Sequence, residues 1–136
     1  CRALSRHCGV PIILDESFMR AGQFPLIEGE PSLWILNIRV SKMGGLLRAC
    51  TVAARAKAVG IPIVVGAQVG ETSILTRVAL VVADRYRDIL IGQEGAVGTH
   101  LLEYDLCEPP LMFGRGGCLV DTVFYSRSGL GLSFVR

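Results

Sequence analysis

Asp15 and Glu16 stand side by side where the apolar run Pro11-Ile12-Ile13-Leu14 ends. Two carboxylates at the tip of a β-branched run are placed to hold a metal ion or to move a proton. The pattern recurs along the chain. Asn37, Arg39 and Lys42 lie in or just beyond the run that starts at Trp34, Gln68 and Glu71 follow the run Ile61 to Val65, and Glu94 follows Ile89 to Ile91. Neighbouring strands lie about 4.8 Å apart, so side chains at successive strand ends can converge. Taken singly, each has a plainer role: Glu71 suits a helix N-terminus, Asp15 or Glu16 can cap the next segment, Arg39 can pair with a rim carboxylate and Lys42 can be a solvated residue. Taken together, several ionisable groups on one rim cost stability unless they are paired, bind a metal or serve a function.

Hard carboxylate oxygens favour magnesium over zinc, and neither His7 nor His100 stands at ligand spacing from a cysteine. The sequence has no GxxxxGK[ST] phosphate loop, no GxGxxG after a strand and no GxSxG nucleophile elbow. The glycine loop Gly66 to Gly70 is by itself weak evidence for an anion pocket.

The elements that must position these residues alternate. The first residues, Cys1 to Cys8, read as the end of a helix closed by Gly9, which implies a chain that begins further upstream. After the strand ending at Leu14, residues 17–30 form a connection in which Gly22 and Pro25 allow only an irregular helix. In the strand Trp34 to Val40, period 2 puts Ile35, Asn37 and Arg39 on one face and Leu36, Ile38 and Val40 on the other. The apolar face belongs against helices, which leaves Asn37 and Arg39 facing an interior that tolerates polar groups. A helix is predicted from Met43 to Val59 with Gly44-Gly45 as its tight entry, Leu46, Ala49, Cys50, Ala53 and Ala56 as its buried stripe and Gly60 as its stop. Ile61 to Val65 is the next strand, Thr72 to Ala83 the next helix with Leu75, Val78, Ala79 and Val82 inward, and Asp88 to Ile91 the last strand. Beyond it, Pro109-Pro110, the glycines at 114, 116 and 117 and short β-prone stretches leave the alternation. Strand and helix in turn specify a parallel sheet with right-handed crossovers. About four strands are present, half of the eight in a closed α/β barrel of ~250 residues.

Composition bounds the partners. With 51% hydrophobic and 19% charged residues among 136, the chain is a globular unit. A net charge of +2 and scattered basic residues point to neither a nucleic acid nor a membrane. Five widely spaced cysteines without a CxxC pair argue against a zinc site or a disulfide framework and suit a reducing cytosol, so a cytoplasmic location is expected.

These residues resemble the C-terminal half of the catalytic barrel in the mandelate racemase and muconate lactonizing enzyme branch of the enolase superfamily. The matching pieces are Pro11 to Ser17, Leu36 to Gly45, Val65 to Thr72, Gln93-Glu94-Gly95 and Ser128 to Leu132, in family order. The resemblance implies strands five to eight of a TIM-like (β/α)7β barrel over residues 1–105, with residues 106–136 packing on the barrel or completing a capping domain. It implies that Asp15 is the third of three magnesium ligands, with Glu16 beside it and the other two on strands outside this sequence. It implies abstraction of a proton α to the carboxylate of a small carboxylic or sugar acid, with Arg39, Lys42 and Glu94 as catalytic residues and Asn37, Gln68 and Glu71 lining the substrate. The full-length protein is then a lyase or isomerase, expected as a homo-oligomer, and the segment alone is expected to be inactive.

One departure matters. Many members carry a sixth-strand lysine base where this chain has Arg39, whose pKa above about 12 makes it a poor proton acceptor. A one-base reaction, dehydration or cycloisomerisation, is therefore favoured over racemisation, with the base on a strand outside the sequence and Arg39 binding substrate. The rival readings are a non-catalytic half-barrel that at most self-associates and a phosphate-binding barrel isomerase that uses the glycine loop.

Overall fold

The computed structural model describes residues 1–95, 97–120 and 126–135. Its centre is a four-stranded, all-parallel sheet in sequential order, β1 (Ile12–Leu14), β2 (Trp34–Arg39), β3 (Ile63–Gly66) and β4 (Leu90–Gln93). Parallel neighbours require crossovers, and the helices supply them. α1 (Arg2–Cys8) precedes β1, α2 (Val40–Met43) and α3 (Leu46–Ala58) join β2 to β3, and α4 (Ser73–Arg85) joins β3 to β4. The connection between β1 and β2 holds only two 3-10 turns, Ala21–Leu26 and Pro31–Leu33. Gly22 and Pro25 lie within the first of these, which explains why no α-helix forms there.

The strand faces divide by residue type. Leu36, Ile38, Ile63 and Val65 are fully buried in one cluster with Ala49, Val52, Ala53 and Ala56 of α3 and Ala79, Val82 and Ala83 of α4. Alanine dominates the helical side of this layer, and its small side chains let the helices approach the β-branched strands closely. At ~25 cal/mol per Å2 of apolar surface, this cluster is the main favourable contribution to folding. The opposite face carries Ile35 and Asn37 of β2, both buried, and Ile13 of β1, which is 52% exposed. The alternation expected of β2 therefore holds for Leu36 and Ile38, while Val40 already belongs to α2.

Several boundaries and faces differ from the sequence reading, and β3 starts at Ile63 rather than Ile61. The helix predicted from Met43 is split, because Gly44 and Gly45 take positive φ values of 82° and 110° and α3 starts only at Leu46. Its buried stripe includes Val52, while Leu46 and Cys50 are only partly covered. In α4 the polar Ser73 and Thr76 are nearly fully buried, alongside Leu80 and the expected Ala79 and Val82. β4 starts at Leu90, two residues later than Asp88, and after Leu90 pairs with Ile63 a register shift skips Ile91 and sets Gly92 opposite Val64.

The segment after β4 docks on α4. Leu111 packs on Leu80 with Leu119 and Leu132 around them. Residues 121–125, part of the β-prone tail, lie outside the described residues. All five cysteines are free thiols, and burial pushes the Cys107 thiol upward, helped by the nearby Asp105 charge. Among the described residues no helix is long and apolar enough to cross a membrane.

Candidate active site

The tips of the sheet deliver their polar groups to one side because parallel strands end on the same rim. β1 stops at Leu14 and releases Asp15 and Glu16; β2 ends on Arg39, and the single turn of α2 that follows folds Lys42 back over the rim. The Asp15 carboxylate is held from two sides. Arg39 Nη2 donates to its Oδ2, and Lys42 Nζ donates to its Oδ1 at 2.8 Å. The Lys42 ammonium also donates to the backbone carbonyls of Asp15 at 2.7 Å and Asn37 at 2.9 Å. All three of its protons are engaged, and its side chain is only 4% exposed. Lys42 is thus no solvated residue; it is a buried clamp that fixes where Asp15 sits.

Arg39 is the hub. Besides Asp15 it reaches Glu16 at 3.2 Å and donates through Nη1 to Gln68 Oε1 at 3.3 Å. Three strand ends are joined through one guanidinium, whose planar fork suits such bridging. Gln68 connects onward, since its backbone N–H donates to Glu71 Oε2 at 3.0 Å. Glu71 is buried, and that burial pushes its carboxyl above the ordinary range despite the opposing hydrogen bonds from Gln68 and Thr76 and the charge of Arg39. At the tip of β4, Glu94 Oε2 accepts from the backbone N–H of Ala67 at 3.2 Å, and its own N–H donates to Val65. Asp15 and Glu94 thus meet the same run of residues after β3, one through Arg39 and the Gln68 side chain and the other through the Ala67 N–H.

Asn37 lies beneath this run. It is 5% exposed, and its Oδ1 has no hydrogen-bond partner. A Cβ on Gly66 would lie 2.0 Å from that oxygen, so the amide rests where any other residue on β3 would put a side chain. The requirement for glycine at 66 is a steric signal that sequence reasoning, which took Gly66 as the start of a loop, did not use. Arg39 Nε is likewise buried without a partner. Buried polar atoms with unused capacity are uncommon in folded proteins and concentrate where a ligand or water is received.

The donor set suits a hard cation in part. A carboxylate offers about four lone-pair positions, so Asp15 retains acceptor capacity beside its two cationic partners, and the Glu16 side chain is 75% exposed. Asp15 and Glu16 can therefore hold magnesium through oxygen. Among the described residues no three acidic, histidine or cysteine side chains are grouped to complete a metal shell. Further ligands would have to come from elsewhere.

The whole chain, residues 1–136, matches the family model described as enolase C-terminal domain-like. The chain belongs to this enolase-like family. An N-acetyl-D-glutamate racemase from Pseudoalteromonas sp is 31% identical over 81 residues, 59% of this chain and 25% of the relative. An L-Ala-D/L-Glu epimerase from Francisella tularensis subsp. novicida is 34% identical over 65 residues, 48% of this chain and 18% of the relative. The chain thus spans a quarter or less of these curated relatives. Among solved structures, a magnesium complex from Roseovarius nubinhibens ISM, named for mandelate racemase and muconate lactonizing enzyme, superposes with a TM-score of 0.76 at 22% identity, covering 99% of this chain and 35% of the other. The substrate-liganded L-Ala-D/L-Glu epimerase from Bacillus subtilis gives 0.66 at 24% identity, with coverage of 81% and 30%. These likenesses establish the fold, a parallel α/β sheet matching the C-terminal half-barrel of enolase-superfamily proteins.

Proposed function

We propose that the complete enolase-like protein abstracts a proton α to the carboxylate of a small carboxylic or sugar acid with the help of magnesium. The observation that carries this reading is the Asp15 carboxylate, fixed at a strand tip by Arg39 and Lys42 with acceptor capacity to spare. Asp15 and Glu16 would hold the metal. Magnesium, when bound, offsets the negative charge that builds on the substrate as its α proton leaves.

The chain's own residues divide the remaining work. Lys42, with its three protons spent, positions Asp15. Arg39 offers a donor-only fork to the substrate carboxylate, and Asn37 and Gln68 offer an unpaired amide oxygen and an amide within reach of that fork. Glu71 borders the Gln68 loop and would help shape the substrate subsite. Glu94, at the next tip, would hydrogen-bond the substrate or pass it a proton. A guanidinium does not accept a proton in this chemistry, so the base would come from a strand outside this chain, and a one-base outcome, loss of water or ring closure, is favoured over racemisation.

A second reading has its own support, because the racemase and the epimerase among the curated relatives favour a two-base exchange. Incubation of the full-length protein with substrate in D2O separates the two. A one-base enzyme returns unreacted substrate with its original handedness, whereas a racemase returns both hands labelled at Cα. The core proposal is tested with Asp15→Asn in that protein: turnover and Mn2+ binding both fall while the melting temperature holds. Unchanged turnover would refute it. Magnesium dependence, a small carboxylate ligand, homo-oligomeric assembly and a cytoplasmic location all belong to this proposal.

A further inference from the structure

Outside the strand tips lies a cavity of about 420 Å3 that the proposed chemistry leaves unused. It opens between the loop after β1, the turn that joins α2 to α3 and the first two turns of α3. Arg20, Lys42, Arg48 and Thr51 provide its polar lining, and none of its lining residues is acidic. Lys42 contributes its stem, since its ammonium is spent on Asp15 and Asn37. The available charge is therefore that of Arg20 and Arg48.

Carboxylate partners divide the arginines of the chain. Arg2, Arg6, Arg39, Arg55 and Arg87 each have a carboxylate partner. Arg20 and Arg48 have none among the described residues. Arg48 also sits in the first turn of α3, where the helix dipole disfavours a cation, and that turn holds no acidic residue and no capping side chain. Its guanidinium lies against the preceding turn: a Cβ on Gly44 would come within 3.1 Å of Arg48 Nη1. Two guanidiniums without a carboxylate partner line one hollow that holds no acidic residue, and an oxyanion there would balance their charge.

We propose that this cavity binds a small oxyanion, a phosphate or carboxylate group, gripped by Arg20 and Arg48 alongside the first two turns of α3. The hollow is deeper than a bare anion needs, and Met19, Met43 and Val52 give it an apolar floor. A free anion and the charged end of a larger ligand share the same recognition chemistry. This site is independent of the magnesium reading above.

The test is a titration of the full chain with sodium phosphate, sodium acetate and phenyl phosphate at ionic strength held constant with sodium chloride. Amide signals of Gly44, Arg48 and Thr51 and the side-chain Nε–H signals of Arg20 and Arg48 report by NMR. Saturable shifts confined to these groups are expected, with phosphate acting at lower concentration than acetate. Tighter binding of phenyl phosphate would assign the anion to a larger ligand, and equal binding would assign it to the free ion. Arg48→Gln and Arg20→Gln should each weaken phosphate at least tenfold, whereas Arg115→Gln, on an exposed arginine elsewhere, should not. Because both targets are exposed, the fold should survive, and an unchanged melting temperature verifies it. Shifts that fail to saturate, that spread over all arginines or that persist in both variants would overturn the proposal.

Discussion

Two buried polar centres flank this half-barrel, and they differ in what they leave unused. At the start of α4, Asp105 Oδ2 accepts from the backbone N–H and the hydroxyl of Ser73, both at 2.9 Å, and its Oδ1 accepts from Cys107 N–H at 2.9 Å. The Ser73 hydroxyl in turn accepts from Leu111 N–H at 2.7 Å. This centre ties the C-terminal segment to the barrel with its donors matched to acceptors. The rim centre around Arg39 has stronger charges and looser ends, because Asn37 Oδ1 and Arg39 Nε remain unpaired. A closed hydrogen-bond circuit marks a structural joint, and an open one marks a place where something else is received.

The contrast can be broken at either centre. The largest effect is expected from Asp105→Ala, which strands two buried N–H groups and a hydroxyl and should cost about 3 kcal/mol in equilibrium urea unfolding. Asp105→Asn should cost visibly less, since its amide oxygen still accepts. At the rim, Gly66→Ala pushes a methyl into the space of the Asn37 amide and should destabilise by about 2 kcal/mol. Pairing it with Asn37→Ala should recover much of that loss, and an additive double variant would show that the amide is not what excludes a side chain at 66. Lys42→Met removes three hydrogen bonds from a side chain that is 4% exposed, and leaves the Asp15 carboxylate with one cationic partner. Partial exposure of Asp15 screens the loss, so about 1 to 2 kcal/mol is expected from thermal unfolding.

The smallest effect is a pH dependence. Burial pushes the Glu71 carboxyl above its ordinary value, so the folded state holds its proton more tightly than the unfolded chain does. Stability from this group is then lost as pH rises from the unfolded value through the raised folded value, and no penalty remains once both states are protonated. Glu71→Gln should flatten that slope in urea midpoints measured across the window. An unchanged slope would place the titrating group elsewhere.

The alternation of strands and helices was readable because β-branched runs of four to six residues differ in period from alanine-rich helices. The same contrast made Asp15, Arg39, Gln68 and Glu94 recognisable as strand-end residues. Gly44-Gly45 is legible as the tight entry to a helix, and their positive φ values start α3 at Leu46 rather than Met43. Two things escaped that reading for physical reasons. The burial of Ser73 and Thr76 depends on acceptors far along the chain, Asp105 for one and Glu71 for the other at 3.5 Å. The Asp15 clamp needed Lys42 to turn back, and that geometry follows from a single turn of helix directly after β2.

The outermost strands of the sheet, β1 and β4, hold only three and four residues. In a closed barrel each would pair along its free side, and with so few backbone groups there the seam would lean on side-chain packing more than on ladder hydrogen bonds.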